Sequence, residues 1–138
     1  MRTIKFRAQV MFPEGGIVLS CDKAEGEWVY GDLHLQSRIP HIHSLGKKYP
    51  INPGTVGQFT GLYDKDGKEI YEWDILQLKY SDGSYHSSSV YYAQQKGYWA
   101  VDVSINERII LGYIDRTKLV VIGNIHDNPE LLKGGNDE

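Results

Sequence analysis

His41 and His43 stand two residues apart. On a strand that spacing sends both imidazoles to one face, where they could share a metal ion. His34, His86 or His126 could complete such a set in space. No acidic residue flanks the pair, and Pro40 just before it restricts any strand there to a sheet edge. Exposed polar histidines are the simpler account, and a metal-dependent enzyme built on them is the third choice of function. Asp64, Asp66 and Gly67 hint at a calcium loop. Such a loop needs oxygen ligands at spaced positions and an exiting helix, whereas Lys68 and a strand pattern follow here. Cys21 is the only cysteine, so no intrachain disulfide can form, and nothing beside it marks it as an activated nucleophile. Ser87, Ser88 and Ser89 read as the solvent face of a strand. No Gly-rich loop opens a helix that could cradle phosphate. No acid, base and orienting group come together, so no catalytic residue, metal ligand or cofactor is assigned and the reading leans away from an enzyme.

Aromatic residues are the more informative excess. Ten Tyr and three Trp are more than a small core needs. Tyr91, Tyr92, Tyr98 and Trp99 fall in adjoining strand patterns, where alternation must turn some of them outward. Outward Tyr and Trp can anchor a partner or stack bases; the alternative is that they cover a thin core from both sides. With Trp73 they form the candidate interface. The formal net charge of −3 argues against general nucleic-acid binding, which depends on neutralising phosphates, though a local basic patch stays open. A protein partner, self-association included, comes first and nucleic acid second.

The elements that must position these residues are short strands. Thr3 to Met11 alternates, with Ile4, Phe6, Ala8 and Val10 on one face and Lys5, Arg7 and Gln9 on the other. Pro13-Glu14-Gly15-Gly16 breaks it, and Ile17-Val18-Leu19 is a second apolar run. Glu27 to Leu35 reads as a strand interrupted at Gly31-Asp32. Ser37 to Gly54 holds Pro40, Pro50 and Pro53 and reads as edge strand and loop. Val56 to Leu62 is a strand whose Gly57 and Gly61 predict a bulge or a close backbone approach. Asp64-Lys65-Asp66-Gly67 has hairpin-loop chemistry. Beyond Asp74, Leu76, Leu78 and Tyr80 share one face, with Gln77 and Lys79 on the other. Ser81 to Ser84 is a turn. Ser87 to Ala93 and Tyr98 to Val103 are strands joined by Gln94 to Gly97, and Arg108 to Tyr113 is a short apolar run. Lys118 to Ile122 is continuously apolar, which predicts burial on both faces. Asn128 with Pro129 next predicts an N-cap and first helical position for a short helix through Leu132. Lys133 to Glu138 is expected to be tail.

Several of these stretches together resemble the YopX family. The resemblance rests on Gln58-Phe59-Thr60-Gly61-Leu62, the Asp64-to-Ile70 turn, Tyr71-Glu72-x-Asp74-Ile75 and the ending Val121 to Leu132. Met1 to Arg7 and the Trp28-Val29-Tyr30-Gly31 run are similar too. The family occurs in bacteriophages and integrated prophages and its function is unresolved, so the resemblance implies a phage-encoded protein acting inside a bacterium. This chain has Trp73 where the family usually has Gly. If that Gly serves a positive φ, Trp there implies altered local geometry or an unusual exposed aromatic.

With 138 residues, 41% hydrophobic and 24% charged, the chain is in the globular range. No apolar run approaches a membrane span, and the charged N-terminus has no apolar stretch behind it to act as a secretory signal, so cytoplasm is expected. The predicted fold is mainly β: a small N-terminal β lobe over residues 1–55, an SH3-like bent β-barrel over 56–133 with a short C-terminal helix, and a tail over 134–138. Without a flexible linker the two halves are expected to fold as one unit.

Overall fold

A computed structural model describes residues 3–13, 21–36, 38–104 and 107–132. The apolar run Ile17-Val18-Leu19 and the tail after Leu132 lie outside the described residues. The chain divides into two compact units, Met1–Phe59 and Thr60–Glu138, and the division falls inside a strand. Mainly β structure is observed, and every register-defined strand pair is antiparallel.

The first unit holds β1 (Phe6–Gln9), β2 (Trp28–His34), β3 (His41–Ser44), β4 (Lys47–Pro50) and the start of β5 (Gly57–Tyr63), in the order β4-β3-β2-β1-β5. Ala8 lies opposite Val29, and Ile42 opposite both Leu33 and Tyr49. This register puts Ala8, Val29, Ile42 and Tyr49 on one face, where they form a core with Val10 and Ile51. Each large apolar side chain so buried contributes about 1.5–3 kcal/mol. Two expectations for β1 fail at its ends and on its outer face. The strand begins only at Phe6, leaving Ile4 61% exposed. Arg7 is buried, its guanidinium 4.7 Å from the centre of the Trp28 ring, because arginine can sink its stem and stack its head on an indole.

β2 runs unbroken through Gly31, which is extended at φ 159°. Glycine is needed there for space: a Cβ on Gly31 would run into the His43 carbonyl oxygen. The stretch read as loop and edge strand is a hairpin, β3–β4. Its two-residue turn, Leu45-Gly46, has φ 51° and 82°, the pair of positive values that matches the twist of the flanking strands. β3 is therefore interior and only β4 lies at the edge. Pro40 precedes β3 and Pro50 closes β4, so neither removes a bond from the middle of the ladder.

The second unit takes the rest of β5, β6 (Glu69–Tyr71), β7 (Asp74–Lys79), β8 (Tyr85–Ser89), β9 (Tyr91–Ala93), β10 (Tyr98–Ser104), β11 (Glu107–Ile110) and β12 (Leu119–Asn124). Inside β5, Gly61 has φ 84°, a kink in a strand otherwise regular in sequence. β12-β7-β8 form one sheet and β11-β10-β9 another, and these sheets do not close into a barrel. Both feed one core: Leu76 and Leu78 from β7, Leu119 from β12 and Val101 from β10, with Ile70, Val90 and Leu111.

The strand expected over Ser87 to Ala93 is split at Val90. Val90 is fully buried, its N–H donates to the Asp74 carbonyl at 2.9 Å, and its own carbonyl accepts from the Trp73 N–H at 2.8 Å. The chain turns there from one sheet to the other, a pinned corner. β12 is an outer strand, so burial on both faces does not occur; Leu119 and Asn124 are buried and the residues between them half-buried. The terminal helix is one turn, at 130–132. Asn128 does not cap it through its side chain in the expected way: its Oδ1 accepts from the Asn124 N–H at 3.3 Å, back toward β12. No helix among the described residues is long and apolar enough to cross a membrane.

Candidate functional site

The register of β9, β10 and β11 sorts the aromatic cluster onto two faces. Tyr92 lies opposite Trp99, Tyr91 opposite Ala100, Tyr98 opposite Ala93, and Asp102 opposite Arg108. Trp99 packs with Val101 and Val103 at the core. Tyr92 meets Trp99 edge-on, ring centres 4.9 Å apart, and remains 41% exposed. The opposite face carries half-buried Tyr91 and Tyr98 with exposed Asp102 and Arg108. The Tyr91 hydroxyl donates to the Asp102 carboxylate at 2.6 Å. The Arg108 guanidinium lies 5.6 Å from the Tyr91 ring centre. Burial, then the bond to Asp102, push the Tyr91 phenol up. The Tyr91 phenol is thus placed between a carboxylate at its hydroxyl and a guanidinium over its ring.

Trp73 sits between β6 and β7 with φ 73°, a left-handed backbone that a bulky residue rarely adopts. Its N–H is tied to Val90 and its carbonyl accepts from the Ile125 N–H at 3.0 Å. The backbone the family's glycine would adopt freely is thus imposed on a half-buried tryptophan, one residue's hydrogen bond away from the start of β9.

His41 and His43 do share a face, with His34 directly across from His41. The His34 and His43 rings stack at 3.6 Å, interplanar angle 14°, while His41 sits edge-on to His43 at 6.5 Å. Stacked rings set their nitrogens side by side instead of aiming them at one point. Among the described residues no three His, Cys, Asp or Glu side chains are arranged to hold a metal ion. His86 and His126 belong to the second unit. Burial, then the charges of His34, Lys48 and His41, hold the His43 imidazole below its ordinary pKa, against an opposing effect of Asp32.

The remaining candidates have structural employment. Asp64 is 2% exposed. Its Oδ1 accepts from the Asp66 and Lys68 N–H groups at 2.9 Å each, and its Oδ2 from the Val121 N–H at 3.1 Å. Burial pushes this carboxyl up, but the three N–H donors, with Lys68 beside them, outweigh it and hold the carboxyl below its ordinary range. The Cys21 thiol donates to the Lys23 carbonyl at 3.3 Å and packs against the first core. Ser88 is buried, its Oγ accepting from the Asp102 N–H at 3.2 Å. Asn124 Oδ1 accepts from the His126 and Asp127 N–H groups at 2.9 Å each, and a Cβ on Gly123 would run into the Asn128 side chain.

One cluster carries no local sequence signal. Asp22 Oδ2 lies 2.7 Å from Lys47 Nζ, and its Oδ1 accepts from the Tyr49 hydroxyl at 2.8 Å. These partners are 25 and 27 residues away and meet only because the β3–β4 hairpin forms.

Comparison with known proteins agrees across nearly the whole chain. The profile of the YopX protein family matches residues 6–133. The chain is 25% identical over 123 residues to the SPbeta prophage-derived uncharacterized protein YopX of Bacillus subtilis (strain 168), covering 81% of this chain and 80% of that one. The crystal structure of the Bacillus subtilis yopX protein aligns with a TM-score of 0.59 at 20% identity, covering 96% of this chain and 99% of that one. A crystal structure from Enterococcus faecalis aligns with a TM-score of 0.46 at 24% identity and the same coverage. The match begins at the first residue of β1 and runs past the last described helical turn, so this chain belongs to the YopX family.

Proposed function

We propose that this prophage-type protein works without catalysis, by binding another protein through the β9–β11 face that carries Tyr91, Tyr98, Asp102 and Arg108. Self-association into an oligomer through the same face is included, and the bacterial cytoplasm is the expected compartment. The two sheets around one core in the second unit are taken as an SH3-like variant, a scaffold that presents side chains on a stiff bent surface. One observation supports the reading best: Tyr91 is fixed from two sides, by Asp102 at its hydroxyl and by Arg108 over its ring. Aromatic and Arg side chains fixed beforehand lose little freedom on binding, which is why they dominate interface energetics. Trp99 and Tyr92 lie on the opposite face and back the sheet, and Trp73 is tied through its N–H to Val90, next to Tyr91.

The test is affinity purification of tagged protein from a bacterial host lysate treated with nuclease, alongside Tyr91→Ala and Arg108→Ala. A defined partner retained by the parent and lost by both variants, with melting temperatures unchanged, supports the proposal. Retention by both variants removes this face from consideration. Sedimentation of the same proteins reads self-association.

Arg108 over Tyr91 also favours a second reading, nucleic-acid binding by stacking and phosphate contact. That reading predicts material that vanishes on nuclease treatment and an affinity that falls steeply with salt.

A further inference from the structure

The first unit contains a cleft of about 330 Å³, lined by Asp22 and Lys23, by β2, and by the β3–β4 hairpin. That volume is at the small end of small-molecule sites. Asp22, Lys23, Ser44, Lys47 and the Tyr49 hydroxyl bring polar groups to it, and Trp28, Val29, Tyr30 and Leu45 complete the lining. Strand alternation explains the convergence: Tyr49 pairs with Ile42 and Lys47 with Ser44, so all four share a face of the hairpin.

The hydrogen bonding is unevenly used. Both Asp22 oxygens are engaged, one by Lys47 and one by Tyr49. Lys47 spends one of its three ammonium donors on Asp22. Lys23 brings a second ammonium to the lining, only 4.0 Å from Glu27 and so loosely held. The lining thus sets two cations, Lys23 and Lys47, against one carboxylate whose two oxygens each already hold a partner, and the further ammonium donors of Lys47 are left for a ligand. The hydrogen bond to Asp22 raises the Lys47 pKa, and the bonds from Lys47 and Tyr49 lower that of Asp22, so the pair stays ionised through the neutral range.

We propose that this cleft binds a small organic carboxylate with an aromatic or branched apolar body. The carboxylate accepts from Lys47, and the apolar body rests on Val29, Leu45 and the Tyr49 ring. The site is separate from the β9–β11 face and stands whether or not that face binds a partner.

Phenylacetate is a suitable probe, titrated into labelled full-length protein and followed through backbone amide shifts. Saturable shifts at Ser44, Lys47 and Tyr49, absent with phenethylamine and much weaker with acetate, are expected. Lys47→Met should weaken phenylacetate by at least about tenfold, the size of a lost charge-assisted hydrogen bond, while Lys47→Arg retains binding. Equal shifts with phenethylamine, no saturation with phenylacetate, or undiminished binding in Lys47→Met would overturn the proposal. The amine and acetate arms use unaltered protein and decide the matter even if Lys47→Met folds poorly.

Discussion

Asp64 and Val121, 57 residues apart, are joined by a hydrogen bond of 3.1 Å from the strand's N–H to the carboxylate. Beside it, the Lys65 N–H donates to the Leu119 carbonyl at 3.0 Å. The β5–β6 turn is thereby stitched along the outer edge of β12, which would otherwise present unpaired backbone groups. Two of the stretches by which the chain resembles its family, the Asp64 turn and the ending from Val121, meet at this seam. Of the groups in the seam only the Asp64 carboxylate is a side chain; Lys65, Leu119 and Val121 contribute backbone.

Replacing Asp64 with Ala should therefore cost about 3 kcal/mol, because three backbone donors lose their acceptor. Urea denaturation reads the change. The folded carboxyl is held below its unfolded pKa, so its contribution is full above the ordinary Asp value and is lost as pH falls through the lower folded value. Acid unfolding of Asp64→Ala should accordingly be less steep over that range; parallel curves would contradict the assignment.

His43 titrates with the opposite consequence. Its folded pKa lies below the unfolded one, so protonation favours the unfolded chain. Stability should begin to fall once pH drops below about 6.5, the unfolded His value, and level off below the folded pKa. His34, His41 and Lys48 disfavour the charge and Asp32 favours it. Melting temperatures of parent and His43→Gln between pH 8 and pH 5 give the check, and the variant should show the flatter profile.

Trp73 separates backbone strain from side-chain packing. Trp73→Gly relieves a positive φ, whereas Trp73→Ala keeps the strain and loses the ring. The Gly variant should be the more stable of the two by about 1 kcal/mol, the reverse of the usual order at a regular position. An Ala variant as stable as the Gly variant would mean that the turn relaxes away from φ 73°.

Gly31→Ala tests the approach of β3 to β2. The added methyl meets the His43 carbonyl oxygen, which is backbone and cannot swing aside. A loss of about 3 kcal/mol is expected, together with loss of the His34–His43 stack. Imidazole resonances that keep their stacking-induced shifts in this variant would show that the hairpin tolerates the methyl.

Strands with regular alternation were legible in the residues: β1 and β2 lie inside predicted stretches, β7 starts at the Asp74 that opens its stretch, and β5 and β10 each run one residue past theirs, to Tyr63 and Ser104. β3 and β4 were not. Three prolines and the pair Lys47-Lys48 mask the pattern there, and the turn uses Leu45-Gly46 where Asn-Gly would have announced a hairpin. The corner at Val90 was hidden for another reason. An apolar residue between Ser89 and Tyr91 continues the alternation even though its two neighbours belong to different sheets. Alternation did place some aromatics of the Tyr91-to-Trp99 group off the core, but pairing across strands was needed to show that Tyr91 goes with Tyr98 and Tyr92 with Trp99. The Asp22–Lys47–Tyr49 cluster depends on the unforeseen hairpin and had no signal at all.

The order of strands also sets a timetable for synthesis. Every described strand pair of the first unit lies within residues 6–58, so a nascent chain can complete that sheet soon after β5 begins to emerge. β7 is different: it pairs on one side with β8, which follows at once, and on the other with β12, whose first residue, Leu119, comes about forty residues after Lys79. Until the ribosome releases that last strand, one edge of β7 lacks its partner and the Asp64 carboxylate lacks the Val121 N–H. The interval is when the growing chain is open to chaperones and to pairing with a neighbour on the same message.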